Sequence, residues 1–461
     1  MKQIFSPFGL SLFVFVLLLF SCQKSIKNEP VLQQQLQSTA ASQENGHLKQ
    51  TKEYSADVAQ KWQDLQLRFL RITASSGNPY GRNGHRWFAY LGIALYESVV
   101  PGMPAYQSLH GQLTDMPEMP STEPGKAYHW PTSANAALAY LSKHFFIANT
   151  PLINTSSMDS LENTLDEQYE IEINNEATLH RSKDFGTAVA QKIFEWSETD
   201  GYKHANDPYT PAGGVGSWTN TAPNPTGIAE PYWGNNRHFV QGSDMGTASP
   251  LPPVYSTDPN SDYYKMVKEV YDVSQSLTAE QIATALYFRD NPGFPNATNY
   301  ISTFSQIMHI ENPQLDFYAQ AQAKVGIAFA EAMINCWKIK YTVLQDRPTR
   351  YIRNVLGHST WSPLIAVPTH PEFPSAHSQM AGAVSYVLTT LLGDNYQFTL
   401  HTYDYLGMAP RTYTSFQEMA EDIGRSRVYA GIHYTYSCVE GRKQGERIAA
   451  NVLDILRFRK E

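Results

Sequence analysis

Cysteine is scarce in this sequence, with three among 461 residues. So few thiols exclude a disulfide framework, and their spacing does not suggest zinc; Cys336 and Cys438 could pair or stay free. A basic excess is also missing, since 35 lysines and arginines face 43 acidic residues for a net charge of −8. A mildly acidic chain disfavours nucleic acid as the main partner. With 42% hydrophobic residues, the chain can nevertheless build a large core.

No apolar run after the first 20 residues is long enough for a membrane-spanning helix. Lys2 precedes an apolar run from Phe8 to Phe20, which is too short to span a bilayer comfortably and ends at Ser21-Cys22. This start resembles a bacterial lipoprotein signal, in which the cysteine is acylated and becomes the first mature residue; an ordinary secretory peptide is the alternative. The resemblance predicts loss of residues 1–21 and a protein of the cell envelope, lipid-tethered through Cys22 at the outer membrane and facing the periplasm or the surface.

Residues 22–53 contain no aromatic side chain and are rich in Gln, Ser, Asn and Lys, which predicts a flexible spacer. Residues 54–461 are predicted to form one all-α domain, a large helical bundle, because 3.6-residue periodicity recurs and alternating strands and repeats do not. The predicted helices cover 55–74, 86–98, 132–149, 157–176, 180–201, 261–276, 279–289, 316–346, 376–392, 415–425 and 434–458.

A long loop is predicted between residues 204 and 256. It carries eight prolines and seven glycines together with Trp218 and Trp233, which makes it too aromatic for a linker. We therefore expect it to lie over the helices and to shape a site.

The first motif that carries charge is Lys340 followed by Arg347 and Pro348. Seven residues make two helical turns, so both cations are predicted to project from one face of a helix that Pro348 ends. Alone, the pair is weak, because such residues usually decorate a solvated face.

The second motif is Ser375, Ala376 and His377 at the start of an alanine-rich helix. A serine hydroxyl and free backbone N–H groups at a helix N-terminus form an anion site, and a histidine one step inside can exchange protons with the anion. The alternative is a plain serine cap beside a solvent-exposed histidine.

The third motif is Arg427 with His433 six residues later. On an unbroken helix the two side chains would face different directions, but Gly431 between them permits a break. The alternative is a surface arginine and a buried histidine without a common role.

In this order and at these spacings, the three motifs are the signature of type-2 phosphatidic acid phosphatases and vanadium-dependent haloperoxidases, and residues 340–433 resemble that superfamily. Weaker resemblance extends to the helix from Trp87 to Glu97 and the loop from Gly213 to Trp233. Asp290 stands where haloperoxidases carry an aspartate one layer outside the site.

The resemblance implies a site for a tetrahedral oxyanion, phosphate or vanadate. His433 would approach it axially, as phosphoryl acceptor or as the ligand of vanadium, and His377 would be the acid–base residue on the other side. Three cations, a hydroxyl and a backbone N–H would hold the anion's oxygens. These groups belong to Lys340, Arg347 and Arg427, to Ser375 and to Ala376.

Two positions depart from the family pattern. Ala376 replaces the usual glycine, and its methyl should fit because only the backbone N–H is used. Ser437 stands where phosphatases have an aspartate four residues after the last histidine, a carboxylate that would orient and polarise a nucleophilic imidazole. Its absence argues against efficient phosphatase chemistry, whereas a metal-bound His433 needs only orientation, which the Ser437 hydroxyl could supply.

The resemblance therefore favours a haloperoxidase that oxidises halide with hydrogen peroxide to hypohalous acid, with vanadate as a Lewis-acid cofactor. Trp337 matches a tryptophan on the halide side of chloroperoxidases, and His370 stands where brominating members have histidine. Together they favour bromide or iodide, although ordinary packing explains each one equally well.

Two alternatives remain open at this level. One is a lipid-anchored periplasmic acid phosphatase of the same superfamily. The other is a glycan-binding surface lipoprotein, which the 28 tyrosines and 8 tryptophans suit but which gives no reason for the matched spacings of the basic and histidine residues.

Overall fold

The computed structural model describes residues 49–75, 83–147, 155–220, 227–289 and 298–461. The predicted signal with Cys22, nearly all of the predicted spacer and Asp290 lie outside these residues. The proposed boundaries of the signal, spacer and domain therefore stay predictions.

The described part of the chain is helical, as predicted, with thirteen α-helices and one two-stranded sheet. One hydrophobic cluster runs from Tyr54 to Phe458 and connects most of the helices. The helices are α1 (Asp57–Ser75), α2 (Gly84–Val99), α3 (Trp130–Ser142), α4 (Ser156–Ile173), α5 (Glu176–Ser197), α6 (Asp262–Ser274), α7 (Ala279–Tyr287), α8 (Thr298–Glu311), α9 (Leu315–Val343), α10 (Pro348–Asn354), α11 (Ala376–Leu392), α12 (Phe416–Tyr429) and α13 (Thr435–Ile455), and the strands are β1 (Phe398–Leu400) and β2 (Arg411–Tyr413), which pair antiparallel.

Helix α9 is the central element, because it packs against α2, α11 and α13 and carries Lys340 near its end. Helices α11 and α13 approach closely enough that glycine is required on α13. A Cβ at Gly441 would lie 2.9 Å from the carbonyl oxygen of Ser375, and one at Gly445 would overlap that of Gln379. This contact fixes the N-terminus of α11 against the segment that begins α13.

The prediction that Lys340 and Arg347 share one helix is wrong. Helix α9 ends at Val343, where Leu344 takes a left-handed conformation with φ 51°. Arg347 is the N-cap of the next helix, and Pro348 is its first residue. Proline suits that position because its missing N–H would have no partner there and its φ is already helical. Pro348 therefore begins α10; it does not end α9.

The prediction that the long loop lies over the helices is confirmed for its described residues. Trp218 and Trp233 are both buried, and the Trp218 N–H donates to the carbonyl of Leu344 at 2.7 Å. The carbonyl of Ala229 accepts from Trp337 Nε1 at 3.3 Å and from the Tyr341 hydroxyl at 2.6 Å. The loop thus lies along the last turns of α9.

Two further properties concern the described residues only. None of their helices has the length and apolar character needed to cross a bilayer. Cys336 and Cys438 are both buried free thiols, which decides the question that the sequence left open.

Candidate active site

The three sequence motifs converge at the end of α9 and the start of α11. Arg347 Nη1 lies 3.0 Å from His433 Nε2. Lys340 Nζ donates to the carbonyl of Pro374, and the N–H of Ser375 donates to the carbonyl of Ser437 at 3.2 Å. Residues as much as 97 positions apart in sequence therefore lie together in one buried cluster.

Arg347 is the best-held cation of the site and is only 1% exposed. Besides His433, its guanidinium donates to the carbonyls of Ile432 at 2.8 Å and His370 at 3.0 Å. Asp346 accepts the Arg347 N–H at 3.0 Å and is paired with Arg350 at 2.6 Å. The turn between α9 and α10 thus aims the guanidinium into the site.

Lys340 is fully buried and faces backbone carbonyls. Its ammonium donates to those of Pro371 and Glu372 at 2.9 Å each and to that of Pro374 at 2.5 Å. Burial lowers the pKa of Lys340 to about 7. Lys340 therefore fixes the 371–374 segment, and donating to an oxyanion would require exchange of one of these bonds.

Ser375 is the N-cap of α11, as the sequence predicts. Its hydroxyl oxygen accepts from the Ser378 N–H and, at 3.0 Å, from the Ser378 hydroxyl. Ala376 and His377 follow in the first turn, where the carbonyl of His377 accepts from the Tyr300 hydroxyl at 2.8 Å. The helix N-terminus points its positive end and its first N–H groups into the site.

Gly431 provides the predicted break between Arg427 and His433. Helix α12 ends at Tyr429, Gly431 has φ 77°, and α13 begins at Thr435. Arg427 is 2% exposed, and its Nη1 donates to the carbonyl of Phe288 at 2.5 Å. Because it lies close enough to lower the pKa of both His433 and Arg347, Arg427 belongs to the same cationic cluster.

His433 is held as a neutral imidazole of one tautomer. A guanidinium can only donate, so the Nε2 facing Arg347 must carry the lone pair. The proton then lies on Nδ1, which donates to Glu372 Oε1 at 2.7 Å. Burial, together with Arg347, Lys340 and Arg427, holds the pKa of His433 well below its ordinary value. His433 thus presents its Nε2 lone pair to Arg347 among three cations, and binding a metal there would require exchange of that hydrogen bond.

Glu372 is the residue of this cluster that the sequence motifs do not contain. Its Oε1 also accepts the Tyr434 N–H at 3.1 Å, and its Oε2 accepts the Ser437 hydroxyl at 2.6 Å. The expectation that Ser437 itself orients His433 is therefore wrong, because the Ser437 hydroxyl is bonded to Glu372 and not to the imidazole. One signal was available: Glu372 is the only acidic residue between Asp346 and Asp394.

Trp337 and His370, the halide-side candidates, lie together with ring centroids 5.0 Å apart. His370 Nδ1 is 3.2 Å from Arg347 Nη2. The indole N–H of Trp337 donates to the carbonyl of Ala229 in the long loop. The pair therefore forms one wall beside the Arg347 guanidinium.

The donor set fits vanadate. Three buried cations would balance an oxyanion, a helix N-terminus would donate to its oxygens, and the Nε2 of one neutral imidazole would bind the metal in place of its hydrogen bond from Arg347. A phosphate ion fits the same cations, so the donor set alone selects the oxyanion class.

Comparisons with known proteins extend these observations beyond the site. A family model, the VCPO second helical-bundle domain, matches residues 320–459, which include all three motifs. None of the curated proteins matches the chain.

The chain is similar to the solved structure of the first bacterial vanadium-dependent iodoperoxidase, with a TM-score of 0.78 and 29% identity over 88% of this chain and 98% of that one. A bacterial vanadium-dependent chloroperoxidase is similar in its holo form, with a TM-score of 0.63 and 17% identity over 83% and 93%. Its apo form gives a TM-score of 0.62 and 16% identity over 80% and 93%. The likeness to the chloroperoxidase concerns the fold alone.

Proposed function

We propose that this chain, which belongs to the superfamily of vanadium-dependent haloperoxidases, is an enzyme that uses vanadate and hydrogen peroxide to oxidise halide to hypohalous acid. The observation that carries the proposal is His433: a buried neutral imidazole whose Nε2 lone pair faces Arg347 amid three cations. The similarity to the bacterial iodoperoxidase over 88% of the chain supports the peroxidase reading over the phosphatase reading.

The residues predicted to hold the anion would have separate tasks in this reaction. Lys340, Arg347 and Arg427 would hold the oxyanion by charge, and the hydroxyl of Ser375 and the N–H of Ala376 would donate to its oxygens. Bound vanadate supplies a Lewis acid that activates hydrogen peroxide towards halide. His433 would hold the metal through Nε2.

His377 would move protons to and from the peroxide. It stands in the first turn of α11 and is 8% exposed, so the imidazole combines proximity to the anion site with limited contact with water.

We further propose iodide or bromide as the natural halide. His370 lies beside Trp337 and 3.2 Å from the Arg347 guanidinium, so a cation and a polar ring border the wall where the halide is expected. Large, weakly hydrated halides are the easiest to bring into such a site and to oxidise. A strong preference for chloride would contradict this assignment.

An acid phosphatase remains the second candidate because of one observation. The absence of an aspartate at position 437 no longer argues against it, since Glu372 already gives His433 a carboxylate partner. Phosphate-ester hydrolysis therefore belongs in the same assay as halide oxidation.

The deciding experiment uses the purified protein stripped of vanadate and then titrated with it. We expect peroxide-dependent iodide oxidation to appear with vanadate, excess phosphate to slow its appearance, and vanadate to inhibit any ester hydrolysis. A Lys340→Ala variant should lose the activity, whereas Lys338→Ala, two positions along the same helix and exposed, should keep it. Vigorous ester hydrolysis with no halide oxidation at any vanadate concentration would overturn the proposal.

We also propose that the protein is anchored by a lipid on Cys22, on the strength of the sequence alone. A Cys22→Ala variant should be released from membranes in an active form, because the site motifs begin more than 300 residues away. Retention of the variant in the membrane would contradict the lipid anchor without touching the proposed chemistry.

A further inference from the structure

The carboxylate of Glu372 accepts a hydrogen bond from His433, the candidate vanadium ligand. Glu372 is fully buried, and its two oxygens accept from three groups of one short segment: His433 Nδ1 at 2.7 Å, the Tyr434 N–H at 3.1 Å and the Ser437 hydroxyl at 2.6 Å. These four residues are named the Glu372 centre. None of the sequence motifs contains Glu372, and no role has yet been assigned to it.

The backbone of Glu372 is fixed as tightly as its side chain. Its N–H donates to the carbonyl of Gln345 at 2.9 Å, and its carbonyl accepts from Lys340 at 2.9 Å. Glu372 therefore joins the end of α9 to the start of α13, and its carboxylate has little freedom to follow a displaced imidazole.

We infer that Glu372 is the positioning residue of the site: it holds His433 with the proton on Nδ1 and the Nε2 lone pair turned towards Arg347. The carboxylate supplies the basicity that a metal-bound imidazole gains from a partner on its other nitrogen. The inference rests on the proposed function only for the identity of the anion, because the hydrogen bond between Glu372 and His433 is present whichever anion binds.

The position of the carboxylate distinguishes this chain from the phosphatase pattern, which places an aspartate at the residue equivalent to Ser437. Here Ser437 Oγ lies 2.6 Å from Glu372 Oε2, so the two positions share one small buried space. Two carboxylates in that space would repel each other and one of them would have to take up a proton. We therefore expect the site to need one carboxylate, which either position 372 or position 437 can supply.

Glu372→Gln is the first test, because glutamine keeps the volume and one accepting oxygen. Charge alone predicts that removing an anion from this site strengthens the binding of every oxyanion. The positioning role predicts instead that vanadate affinity falls by about 10–100-fold, the usual loss for such a partner, while phosphate affinity stays equal or rises. Equilibrium dialysis with each anion separates the two.

A second glutamate provides the matched control. Glu331 on α9 is also fully buried and accepts from His238 Nδ1 at 2.6 Å, the Val240 N–H at 2.9 Å and the Ser243 hydroxyl at 2.6 Å. These four residues are named the Glu331 centre. Glu331→Gln changes the same kind of carboxylate away from the site, so it should leave both anion affinities within about twofold of wild type.

A spectroscopic measurement tests the mechanism without any bound anion. The His433 Nδ1 proton lies in a charge-assisted hydrogen bond and should give a strongly deshielded proton resonance. That resonance should move upfield in Glu372→Gln and stay unchanged in Glu331→Gln. Failure of halide oxidation would leave this result standing and would count against the proposed function alone.

The reciprocal exchange distinguishes positioning from packing. Glu372→Ser should weaken vanadate binding at least as much as Glu372→Gln, and adding Ser437→Asp should recover most of the loss together with the deshielded resonance. If the double variant folds but recovers neither, or if Glu372→Gln binds vanadate like wild type, the positioning role is wrong.

Discussion

The Glu372 and Glu331 centres contain the same hydrogen-bonding unit in different surroundings. In both, a fully buried carboxylate accepts from a histidine Nδ1, a backbone N–H and a serine hydroxyl. The pKa of His433 is lowered well below its ordinary value, whereas that of His238 is raised above it. An identical partner set therefore coexists with opposite protonation behaviour.

The difference arises from the deeper burial of His433 and from the charges around each imidazole. His433 is fully buried and faces three cations, which disfavour a second proton. Burial acts against the proton on His238 too, but Glu331 and Asp244 outweigh it and only Lys338 opposes them. Position along α9 separates the cases, since Glu331 and Lys340 are nine residues, or about 13.5 Å, apart along the helix.

The comparison teaches that a carboxylate–histidine pair does not by itself indicate a site. In the Glu331 centre the pair fastens residues 238–243 of the long loop to α9 and so supports the fold. In the Glu372 centre burial and the nearby cations keep the second nitrogen unprotonated, which is the state that the proposed metal ligand requires.

The largest expected effect is that of His433→Ala, compared with His238→Ala. His433→Ala should abolish tight vanadate binding because it removes the only proposed bond to the metal, leaving hydrogen bonds and charge. His238→Ala should keep the binding. Equilibrium dialysis with vanadate measures both, and vanadate retained by His433→Ala would remove the distinction between the two centres.

His377→Ala should have the next largest effect, on turnover and not on binding. We expect vanadate to stay bound while halide oxidation falls by about 10²–10⁴-fold, the usual range for loss of general acid–base help. His180→Ala, an exposed histidine, serves as control. If His377→Ala loses vanadate and His433→Ala keeps it, the two roles are reversed.

The sequence predicts those parts of the site whose conformation depends on residues nearby in the chain. Ser375, Ala376 and His377 are one helix start, and its capping depends on neighbours within three residues, so the structure matches the prediction there. Gly431 likewise breaks the chain by its own conformation. The helices with long 3.6-residue periodicity were predicted for the same reason.

The errors concern contacts that no local pattern encodes. Glu372 meets His433 across 61 residues and sits in a proline-rich segment without periodicity, so nothing near it indicates a partner. Arg347 was placed on α9 because seven residues suit a helix, whereas the left-handed Leu344 ends that helix early. Helix Pro348–Asn354 and the short hairpin were missed because their patterns are brief, whereas length does not explain why the 14-residue helix Thr298–Glu311 was missed.

Glu331→Gln should have a moderate effect, on stability alone. Glutamine keeps the shape but replaces charge-assisted hydrogen bonds by neutral ones, so we expect a loss of about 1.5–3 kcal/mol in the free energy of unfolding. Urea denaturation of the vanadate-free protein measures it. An unchanged midpoint would mean that the Glu331 centre does not hold the loop.

The smallest expected effect is a pair of opposite pH dependences. Since the folded pKa of His238 is raised, its contribution to stability is complete below about pH 6.5 and is lost as the pH rises through the folded pKa. For His433 the folded pKa is lowered, so below about pH 6.5 the unfolded chain takes up a proton that the folded one refuses, and stability falls as the pH falls. Urea midpoints at pH 5, 6.5 and 8 should show that His238→Gln removes part of the alkaline loss and His433→Gln part of the acid loss. If both variants changed the stability on the same side of pH 6.5, the two histidines would not have opposite pKa shifts.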